Sequence, residues 1–381
     1  MNRIKLYNPG QLVFGQDSVA QMVEDILNQG LNRLFVLTVP PVLERISPVL
    51  NFLEHEGISV KYNIEIKAEP SFTDFENILA EATVFNADSI AGIGGGSIMD
   101  VAKLVAATLY TDLHIESLAG GGKIKERNTH LICIPTTSGT GSEVSPNAIL
   151  TDNRNNSKTA FISQYLVPDR AYIDPSLTLS LPPDITAFTG IDALTHCIEA
   201  YTNRFAHPMI DVLALEGIRL ISANLSNAFI RGDDLELRSR LSLGSMYGGM
   251  CLGPVNTAGV HALAYPLGCE FKVAHGLANA LMLTKVMEFN LPSNADRYAD
   301  IAQALGIPCK KSDLNTAVRG IERIKELMSD CNIPSHLSDL GIPADAIGSL
   351  ARSAMSVQRL LRNNPKEISL NDAESIYKAA F

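Results

Sequence analysis

The first half of the chain alternates between short apolar runs and amphipathic stretches with helical spacing. The apolar runs predict buried strands, and the stretches between them predict helices, because side chains on one helix face recur about every 3.6 residues. The predicted strands are 33–39, 60–66, 88–93 and 130–135, and the predicted helices are 42–56, 73–86 and 98–109. Strands and helices in this order favour βαβ units and a mainly parallel sheet.

The pattern changes near residue 180, where Leu181-Pro182-Pro183-Asp184 predicts a break followed by a helix start. Nearly every later segment has helical spacing, and glycine or proline separates one segment from the next. The predicted helices are 184–203, 208–230, 234–249, 257–265, 275–289, 294–305, 313–329, 343–355 and 371–380. We therefore expect an α/β domain over residues 1–180 and an all-α domain over residues 181–381.

Composition and net charge limit the kinds of molecule that this protein is expected to bind. The 381 residues include 31 Lys and Arg against 41 Asp and Glu, so the net charge of −10 argues against a nucleic-acid partner. The first residues show no signal peptide, and no run approaches the roughly 18 apolar residues of a spanning helix. We expect a soluble, cytoplasmic protein without a membrane partner.

The six cysteines are scattered and form no C-x-x-C pair, which argues against a zinc knuckle, a redox motif or a disulfide framework. We expect reduced thiols in or near the core, at Cys133, Cys197, Cys251, Cys269, Cys309 and Cys331.

Two polar loops follow predicted strands. In the first, Gly94-Gly95-Gly96-Ser97 stands between a strand and a helix, with Asp100 in the first helical turn. Glycine at a helix start lets a phosphate approach backbone N–H groups, although a tight strand-to-helix turn has the same signature. In the second, hydroxyls alternate with glycine in Pro135-Thr136-Thr137-Ser138-Gly139-Thr140-Gly141-Ser142-Glu143. Together the loops favour a nucleotide site, since open parallel sheets bind ligands beyond their strand C-termini.

The helical half contains a candidate metal site. Asp192 and His196 are four residues apart, which places a carboxylate and an imidazole on one helix face. His261 and His275 follow, each among small and apolar residues. One such histidine alone is more often a core or surface residue, but one aspartate and three histidines suit Zn²⁺ or Fe²⁺ with a position left for a substrate oxygen.

These motifs resemble the iron-containing (group III) alcohol dehydrogenases. The resemblance rests on the glycine loop with Asp100, on the loop 135–143, and on Gly190-Ile191-Asp192-Ala193-Leu194-Thr195-His196 with Glu199-Ala200-Tyr201. It continues through the segments around His261 and His275 and covers essentially the whole chain.

The resemblance implies a dehydroquinate synthase-like fold, with a dinucleotide-binding α/β domain, a helical metal-binding and substrate domain, and an active site between them. It implies NAD(P)-linked hydride transfer between a small primary alcohol or diol and its aldehyde. The implied metal ligands are Asp192, His196, His261 and His275, and the metal is Fe²⁺ or Zn²⁺. The implied cofactor residues are Gly94, Gly95, Gly96, Ser97, Asp100, Thr136, Thr137, Thr140 and Lys158. It also implies a homodimer or larger homo-oligomer.

The chain departs from the family pattern at two positions. Many members have a second histidine four residues after the third ligand, in a proposed proton relay; here Tyr265 stands there, either as a relay or as a pocket wall. NAD-preferring members often have an aspartate just after the second strand, where this chain has Val39-Pro40-Pro41. Without this aspartate, no carboxylate repels a 2′-phosphate, so NADP is allowed. NAD remains the expected cofactor by default.

Two alternative functions stay open at this point. Related branches of the superfamily include glycerol dehydrogenases, maleylacetate reductases and dehydroquinate synthase-like lyases. A protein of a different class would keep the metal and nucleotide sites without catalysing a reaction, but the candidate ligands contain no cysteine, unlike most closed structural zinc sites.

Overall fold

The computed structural model describes residues 3–66, 69–154, 157–308 and 313–381. Packing divides the chain into two units. One comprises residues 6–137 and 141–179, and the other comprises 180–381 with residues 138–140 and a short N-terminal piece ending at Lys5. Neither unit is a single continuous segment, so the polypeptide passes from one to the other several times.

The α/β unit is built on two sheets. Its strands are β1 (Gln11–Phe14), β2 (Arg33–Leu37), β3 (Ser59–Asn63), β4 (Ser89–Gly94), β5 (Gly120–Gly121), β6 (His130–Pro135), β7 (Asn147–Asp152), β8 (Ser157–Ile162) and β9 (Arg170–Ile173). Its helices are α1 (Ser18–Gln29), α2 (Pro40–His55), α3 (Phe72–Phe85) and α4 (Gly96–Thr108). Strands β5, β8 and β7 form a small three-stranded sheet.

The main sheet has six strands, all parallel, in the order β3-β2-β4-β6-β9-β1. This confirms the predicted parallel α/β architecture. Successive residues of β2 pack into separate cores, Leu34 and Val36 on one face and Phe35 and Leu37 on the other. A sheet buried on both faces explains why its strands appear in the sequence as continuous apolar runs.

The strand order places the two polar loops side by side. After β3 the chain returns to the other side of β2 to form β4, so the order reverses at the β2–β4 boundary. Strands β4 and β6 are neighbours, with Gly94 in register with Pro135. Open α/β sheets bind ligands at such a reversal, beyond the strand C-termini.

The second unit is helical. It contains α5 (Pro183–Thr202), α6 (Pro208–Ile230), α7 (Leu235–Leu252), α8 (Gly259–Phe271), α9 (His275–Asn290), α10 (Ala295–Ala304), α11 (Leu314–Asp330), α12 (Ile347–Met355), α13 (Gln358–Leu361) and α14 (Leu370–Ala379). Helix α5 lies among α6, α7 and α9, and every residue from Gly190 to Thr202 is buried.

Two glycines let neighbouring helices approach α5 closely. A Cβ added to Gly276 would lie 2.2 Å from the carbonyl oxygen of Phe188, a distance that real side chains do not adopt. A Cβ on Gly248 would lie 3.2 Å from the carbonyl oxygen of Ala193 and 3.3 Å from Cβ of His196. Helices α9 and α7 therefore rest directly on the backbone of α5.

The predicted element boundaries were wrong at two prolines. Strand β2 ends at Leu37, and Pro40 begins α2 two residues before the predicted start, because proline is well tolerated in the first helical turn. Helix α8 was predicted to end at residue 265 but continues through Pro266 to Phe271, since its packing outweighs one lost helical hydrogen bond.

Two further predictions concern membrane-spanning helices and the burial of the cysteines. None of the helices in the described ranges is long and apolar enough to cross a membrane. Five of the six cysteines are buried thiols, at Cys133, Cys197, Cys251, Cys269 and Cys331. Cys309 lies outside the described residues.

Candidate metal and cofactor sites

Helix α5 presents three ionisable side chains along one side. Asp192, His196 and Glu199 follow each other at intervals of four and three residues, which stacks them on one helix face. All three are buried. Buried charged and polar groups must find partners, so this face requires other polar groups to meet it.

Helices α8 and α9 supply the other two histidines. The Oδ1 atom of Asp192 lies 3.7 Å from Nε2 of His196, 3.6 Å from Nε2 of His261 and 3.6 Å from Nε2 of His275. The structure thus brings the four predicted ligands together around one carboxylate oxygen. Asp192, His261 and His275 can each offer a ligand atom within 4.8 Å of the others'.

The surroundings of the cluster are asymmetric. The imidazoles of His196 and His261 stack with ring centroids 4.9 Å apart, and both side chains are 5% exposed or less. The His275 side chain is 35% exposed. The cluster is therefore closed on the α5 side and open to small molecules at His275.

Glu199 fixes the orientation of His261. Its Oε2 lies 2.5 Å from Nδ1 of His261, and its Oε1 accepts a hydrogen bond from the Val260 amide at 2.6 Å. A carboxylate can only accept, so Nδ1 carries the hydrogen and the lone pair of the neutral ring stands on Nε2, facing Asp192. Carboxylates that orient ligating histidines in this way are common around metal sites.

The electrostatics favour a cation. Burial raises the pKa of Asp192, but the neighbouring imidazoles outweigh burial and hold this pKa well below its usual range. Burial disfavours the charged form of His261, yet Glu199 and Asp192 raise its pKa to about 9. The two carboxylates, Glu199 and Asp192, thus stabilise positive charge at this cluster.

Asn279 completes the cluster. Its Nδ2 donates to Oδ1 of Asp192 at 2.7 Å and lies 3.1 Å and 3.3 Å from Nε2 of His261 and His275. Its Oδ1 is buried without a hydrogen-bond partner among the described residues. A buried amide oxygen without a partner, on a side chain whose nitrogen contacts three candidate ligands, fits a site that holds a further group.

These observations test whether the residues present suit a metal. Three imidazole nitrogens and one carboxylate oxygen form a donor set for a divalent transition metal. The exposed edge at His275 leaves access for a substrate oxygen. The residues therefore fit a catalytic metal.

Tyr265 lies against two of the candidate ligands. Its ring centroid is 6.5 Å from that of His261 and 6.0 Å from that of His275. Burial raises the pKa of Tyr265, and a hydrogen bond from Arg359 opposes this shift without reversing it. The phenol therefore keeps its proton at neutral pH.

The glycine loop at the end of β4 leads directly into α4. Gly95 is the N-cap, and its carbonyl oxygen accepts the amides of Ile98 and Met99. Gly96 and Ser97 begin the first turn of α4, and anions commonly bind at the first turn of a helix.

Gly94 and Gly95 differ in how closely the surrounding protein packs against them. A Cβ on Gly94 would lie 2.7 Å from Cγ1 of Ile98, so this glycine lets helix and strand pack together. A Cβ on Gly95 would make only ordinary contacts, the nearest 3.6 Å from Oγ1 of Thr137. The protein's own packing does not require Gly95 to be glycine, which fits a backbone kept open for a ligand.

The second loop follows β6. The Thr136 amide donates to the Gly94 carbonyl at 3.0 Å, and Thr136 is buried. Thr137 adjoins Gly95, so these two threonines lie beside the glycine loop. Thr140 lies farther along, in the piece of the loop that packs with the helical unit.

Two other predicted cofactor residues have protein partners. Lys158, on β8, forms an ion pair with Glu69 and donates to Oγ1 of Thr151 at 3.3 Å. Asp100 accepts hydrogen bonds from Oγ of Ser142 at 2.6 Å and from the Ile149 amide at 2.9 Å. Both carboxylate oxygens of Asp100 thus accept hydrogen bonds from the protein itself, one from Ser142 and one from strand β7.

Sequence reasoning assigned no role to Glu199, Asn279 or Lys103. A signal for the first two was present, because Glu199 continues the series of Asp192 and His196 on one face and Asn279 is four residues after His275. Lys103, a fully buried lysine in α4, stands in an apolar helix where a charge is unexpected.

Comparison with known proteins finds matches over nearly the whole chain. A family profile described as iron-containing alcohol dehydrogenase matches residues 9–175, and a profile for the C-terminal part of the Fe-containing alcohol dehydrogenase family matches residues 186–381. Long-chain-alcohol dehydrogenase 1 of Geobacillus thermodenitrificans is 38% identical over 373 residues, which cover 96% of this chain and 94% of that protein.

Solved structures share the whole fold. The crystal structure of a 1,3-propanediol oxidoreductase is 29% identical, with a TM-score of 0.96 and coverage of 100% of both chains. A sulfoacetaldehyde reductase from Bifidobacterium kashiwanohense, solved in complex with NAD⁺, is 25% identical with a TM-score of 0.90 and covers 100% of this chain and 99% of that chain.

Proposed function

Because the chain belongs to the iron-containing alcohol dehydrogenase family, we propose that Asp192, His196, His261 and His275 hold its catalytic metal, with Fe²⁺ as the natural ion. The class of activity follows from the family: the protein is an NAD(P)-dependent oxidoreductase that interconverts alcohols and aldehydes. The observation that supports the ligand assignment is the convergence of three imidazole nitrogens on Oδ1 of Asp192, at 3.6–3.7 Å. A divalent cation bound there would act as a Lewis acid toward the substrate oxygen.

The protein's own groups would prepare that site. Glu199 holds Nδ1–H of His261, so the lone pair on Nε2 is available for the ion. The solvent-exposed side at His275 gives the alcohol access. Tyr265, protonated and beside two of these histidines, would either pass a proton to or from the substrate oxygen or form a wall of the pocket.

We propose that residues 1–180 bind the dinucleotide and that residues 181–381 bind the metal and substrate. The pyrophosphate would lie on the amides of the loop at Gly94, Gly95, Gly96 and Ser97. Thr136, Thr137, Thr140 and Lys158 would line the rest of the cofactor. The supporting observation is the open backbone at Gly95, where a Cβ meets only ordinary contacts.

NAD is the proposed cofactor, and a relative of this chain has been solved with NAD⁺. Strand β2 is followed by Thr38-Val39-Pro40-Pro41, with no carboxylate to repel a 2′-phosphate. We therefore expect measurable use of NADPH as well as NADH.

The proposed substrates are small primary alcohols or diols and their aldehydes. The similar proteins are named for a long-chain alcohol, 1,3-propanediol and sulfoacetaldehyde, which share only the alcohol or aldehyde end. That shared end is what a metal and a nicotinamide act on.

The test is metal reconstitution under anaerobic conditions. Protein stripped with chelator is given Fe²⁺, Zn²⁺, Mn²⁺ or no metal, and NADH and NADPH absorbance is followed with alcohols, diols, glycerol and aldehydes. We expect activity that depends on the metal and is greatest with Fe²⁺. His275→Ala should lose both activity and tight metal binding; a fully active His275→Ala protein would exclude the proposed ligand set. A preference for glycerol would move the chain to the glycerol dehydrogenase branch.

The cofactor loop has its own test. Gly95→Ala should raise the KM for NAD(P)H while leaving the melting temperature near that of the wild type, because the added methyl meets no close protein atom. Gly94→Ala is the contrasting variant, since its methyl collides with Ile98 and should lower the melting temperature. An unchanged KM in Gly95→Ala would exclude the proposed pyrophosphate site.

We also propose a cytoplasmic homodimer. Buried thiols at five cysteines suit a reducing compartment. Sedimentation equilibrium at several protein concentrations measures the subunit number directly, and a monomer at all concentrations would reject the dimer.

A further inference from the structure

Lys103 is completely buried in the interior of the α/β unit. Its Nζ donates to Oγ of Ser142 at 2.7 Å and to the carbonyl oxygens of Ser145 and Asn147, both at 2.9 Å. An ammonium group has three hydrogens, and all three have an acceptor here. Every acceptor belongs to the segment from Ser142 to Asn147, which follows the threonine-rich loop.

Asp100 holds the same segment from one helical turn earlier. It accepts from Oγ of Ser142 at 2.6 Å and from the Ile149 amide at 2.9 Å, and its Oδ1 lies 4.0 Å from Nζ of Lys103. Ser142 therefore donates to the carboxylate and accepts from the ammonium group. Lys103, Asp100 and Ser142 form one closed polar cluster between α4 and the chain after β6.

The position of this cluster couples two parts of the proposed cofactor site. Helix α4 begins at Gly96, in the glycine loop, and Asp100 and Lys103 stand one and two turns into it. Ser142 immediately follows the loop from Thr136 to Gly141. The hydrogen bonds of Lys103 thus connect the helix that starts in the glycine loop to the segment that directly follows the threonine-rich loop.

Stability alone does not explain a buried charge in this helix. Its other buried side chains, such as Val101, Ala102 and Leu104, are apolar. Burial penalises the charged form and lowers the pKa of Lys103, while Asp100 opposes this shift. Apolar replacements of buried ion pairs are often neutral or stabilising, so a retained pair points to a requirement for a particular geometry.

We propose that Lys103 is a positioning residue for the cofactor: with Asp100 and Ser142, it fixes the spacing between the glycine loop and the threonine-rich loop that together receive the dinucleotide. This inference rests on the proposed function of those loops. It gives Asp100 an indirect role, because both of its oxygens bind the protein rather than face a ligand.

The main test variant is Lys103→Met, which keeps the length of the side chain and removes its three donors. Ser142→Ala is a milder second variant, since it removes the atom that bridges Lys103 and Asp100 with little change in volume. Tyr172→Phe is the control for lost stability, because it deletes a partly buried hydrogen bond of the same unit, from Tyr172 to Asp25 at 2.6 Å, that involves no residue of either loop. NADH binding is measured by its fluorescence and NADPH binding in parallel, alongside steady-state kinetics of the metal-loaded enzyme.

The expected result is a rise of about tenfold in the NADH Kd for Lys103→Met, the equivalent of one charge-assisted hydrogen bond, with a smaller rise for Ser142→Ala. The KM for the cofactor should rise in parallel, while kcat at saturating cofactor and the KM for the alcohol stay within about twofold of the wild type. A variant that merely loses stability, such as Tyr172→Phe, should lower the melting temperature and leave the Kd unchanged.

Hydrogen exchange gives a readout that does not depend on the cofactor. Amides of residues 142–149 should exchange faster in both test variants, and those of β2 and β4 should not. Unchanged NADH Kd values in both variants of a protein whose wild type binds NADH would overturn the inference and leave the proposed function intact. A wild type that binds neither NADH nor NADPH would instead overturn the proposed function and, with it, the inference that rests on it.

Discussion

The carboxylate of Glu199 and the imidazole of His261 are joined by a buried contact of 2.5 Å between Oε2 and Nδ1. The second oxygen of Glu199 is held by the Val260 amide, so the carboxylate is fixed at both ends. Glu199 lies on α5 and His261 on α8, and their contact aligns the third candidate ligand with the two on α5.

We predict that Glu199→Gln weakens metal binding. A glutamine whose oxygen still accepts from Val260 turns its NH₂ toward Nδ1 of His261, which favours the tautomer with the hydrogen on Nε2, the atom that the metal needs. Loss of such a partner typically costs about 10–100-fold in metal affinity. Competition with a chromogenic chelator measures the change, and Glu216→Gln, on the exposed face of α6, controls for loss of a carboxylate. Equal affinities in the two variants would contradict the orienting role of Glu199.

Gly276→Ala should damage the metal site through the backbone. The new methyl would lie 2.2 Å from the carbonyl oxygen of Phe188, so the first turn of α9 must move, and with it the adjacent ligand His275. We expect a loss of about 2–3 kcal/mol in the free energy of unfolding, typical of overpacking, together with weaker metal binding. Gly268→Ala, whose methyl would meet its nearest atom at 3.5 Å, is the matched control. Urea denaturation and chelator competition report the two effects, and wild-type values for Gly276→Ala would refute the argument.

Tyr265→Phe separates the two roles open to this side chain. If the phenol passes protons, its removal should lower kcat by about 10²-fold, the smaller contribution of general acid–base catalysis, and alter the pH profile while metal affinity is retained. If Tyr265 only forms a wall of the pocket, phenylalanine should preserve kcat, because the ring beside His275 is kept. The pH dependence of kcat in both proteins distinguishes these outcomes.

The ion pair between Arg127 and Asp169 should make the free energy of unfolding depend on pH in the acid range. Burial raises the pKa of Asp169, but hydrogen bonds and charge from Arg127, with the Leu131 amide, outweigh it and lower this pKa below its ordinary value. A folded-state pKa below the unfolded value of about 3.9 means that the stabilisation is present above that pH and is lost as the pH falls through the folded value.

Asp169→Asn should therefore destabilise the protein at neutral pH and differ progressively less from the wild type below about pH 4. Urea unfolding at a series of pH values measures this difference, and Asp233→Asn, at an exposed position, controls for the loss of one charge. A difference that stays constant from neutral to acid pH would show that the ion pair does not carry the effect.

The sequence predicted the architecture well because its main signals are local. Strands buried on both faces, such as β2 and β4, appear as apolar runs, and the long helices of the second half repeat their apolar residues every turn. Strands β1, β5, β7, β8 and β9 were not predicted. Strands β1, β5 and β9 have two to four residues each, and the pairing of β1 with β9 joins segments distant in sequence. Strands β7 and β8 are longer but include half-buried residues, so neither is a continuous apolar run.

The candidate site could be anticipated only in part. Ligand residues were recognisable because Asp192, His196, His261 and His275 are unusual in apolar surroundings. Glu199 could have been found from helical spacing alone. The roles of Asp100 and Lys103 could not, because they depend on acceptors at Ser142, Ser145 and Asn147, about forty residues away in sequence, which only the folded chain brings near.

The complete burial of α5 beyond Gly190 bears on attempts to redesign the enzyme. Because this helix is packed on every side, a substitution on any of its faces should lower the stability of the protein. Random libraries aimed at this segment should therefore yield mostly unfolded variants. The same helix carries two of the proposed metal ligands and the carboxylate that orients a third, so a substitution that destabilises α5 should also impair the proposed metal site. New substrate preferences are therefore better sought at half-exposed positions around His275. A new side chain there should change which substrates bind while leaving the packing of the core intact.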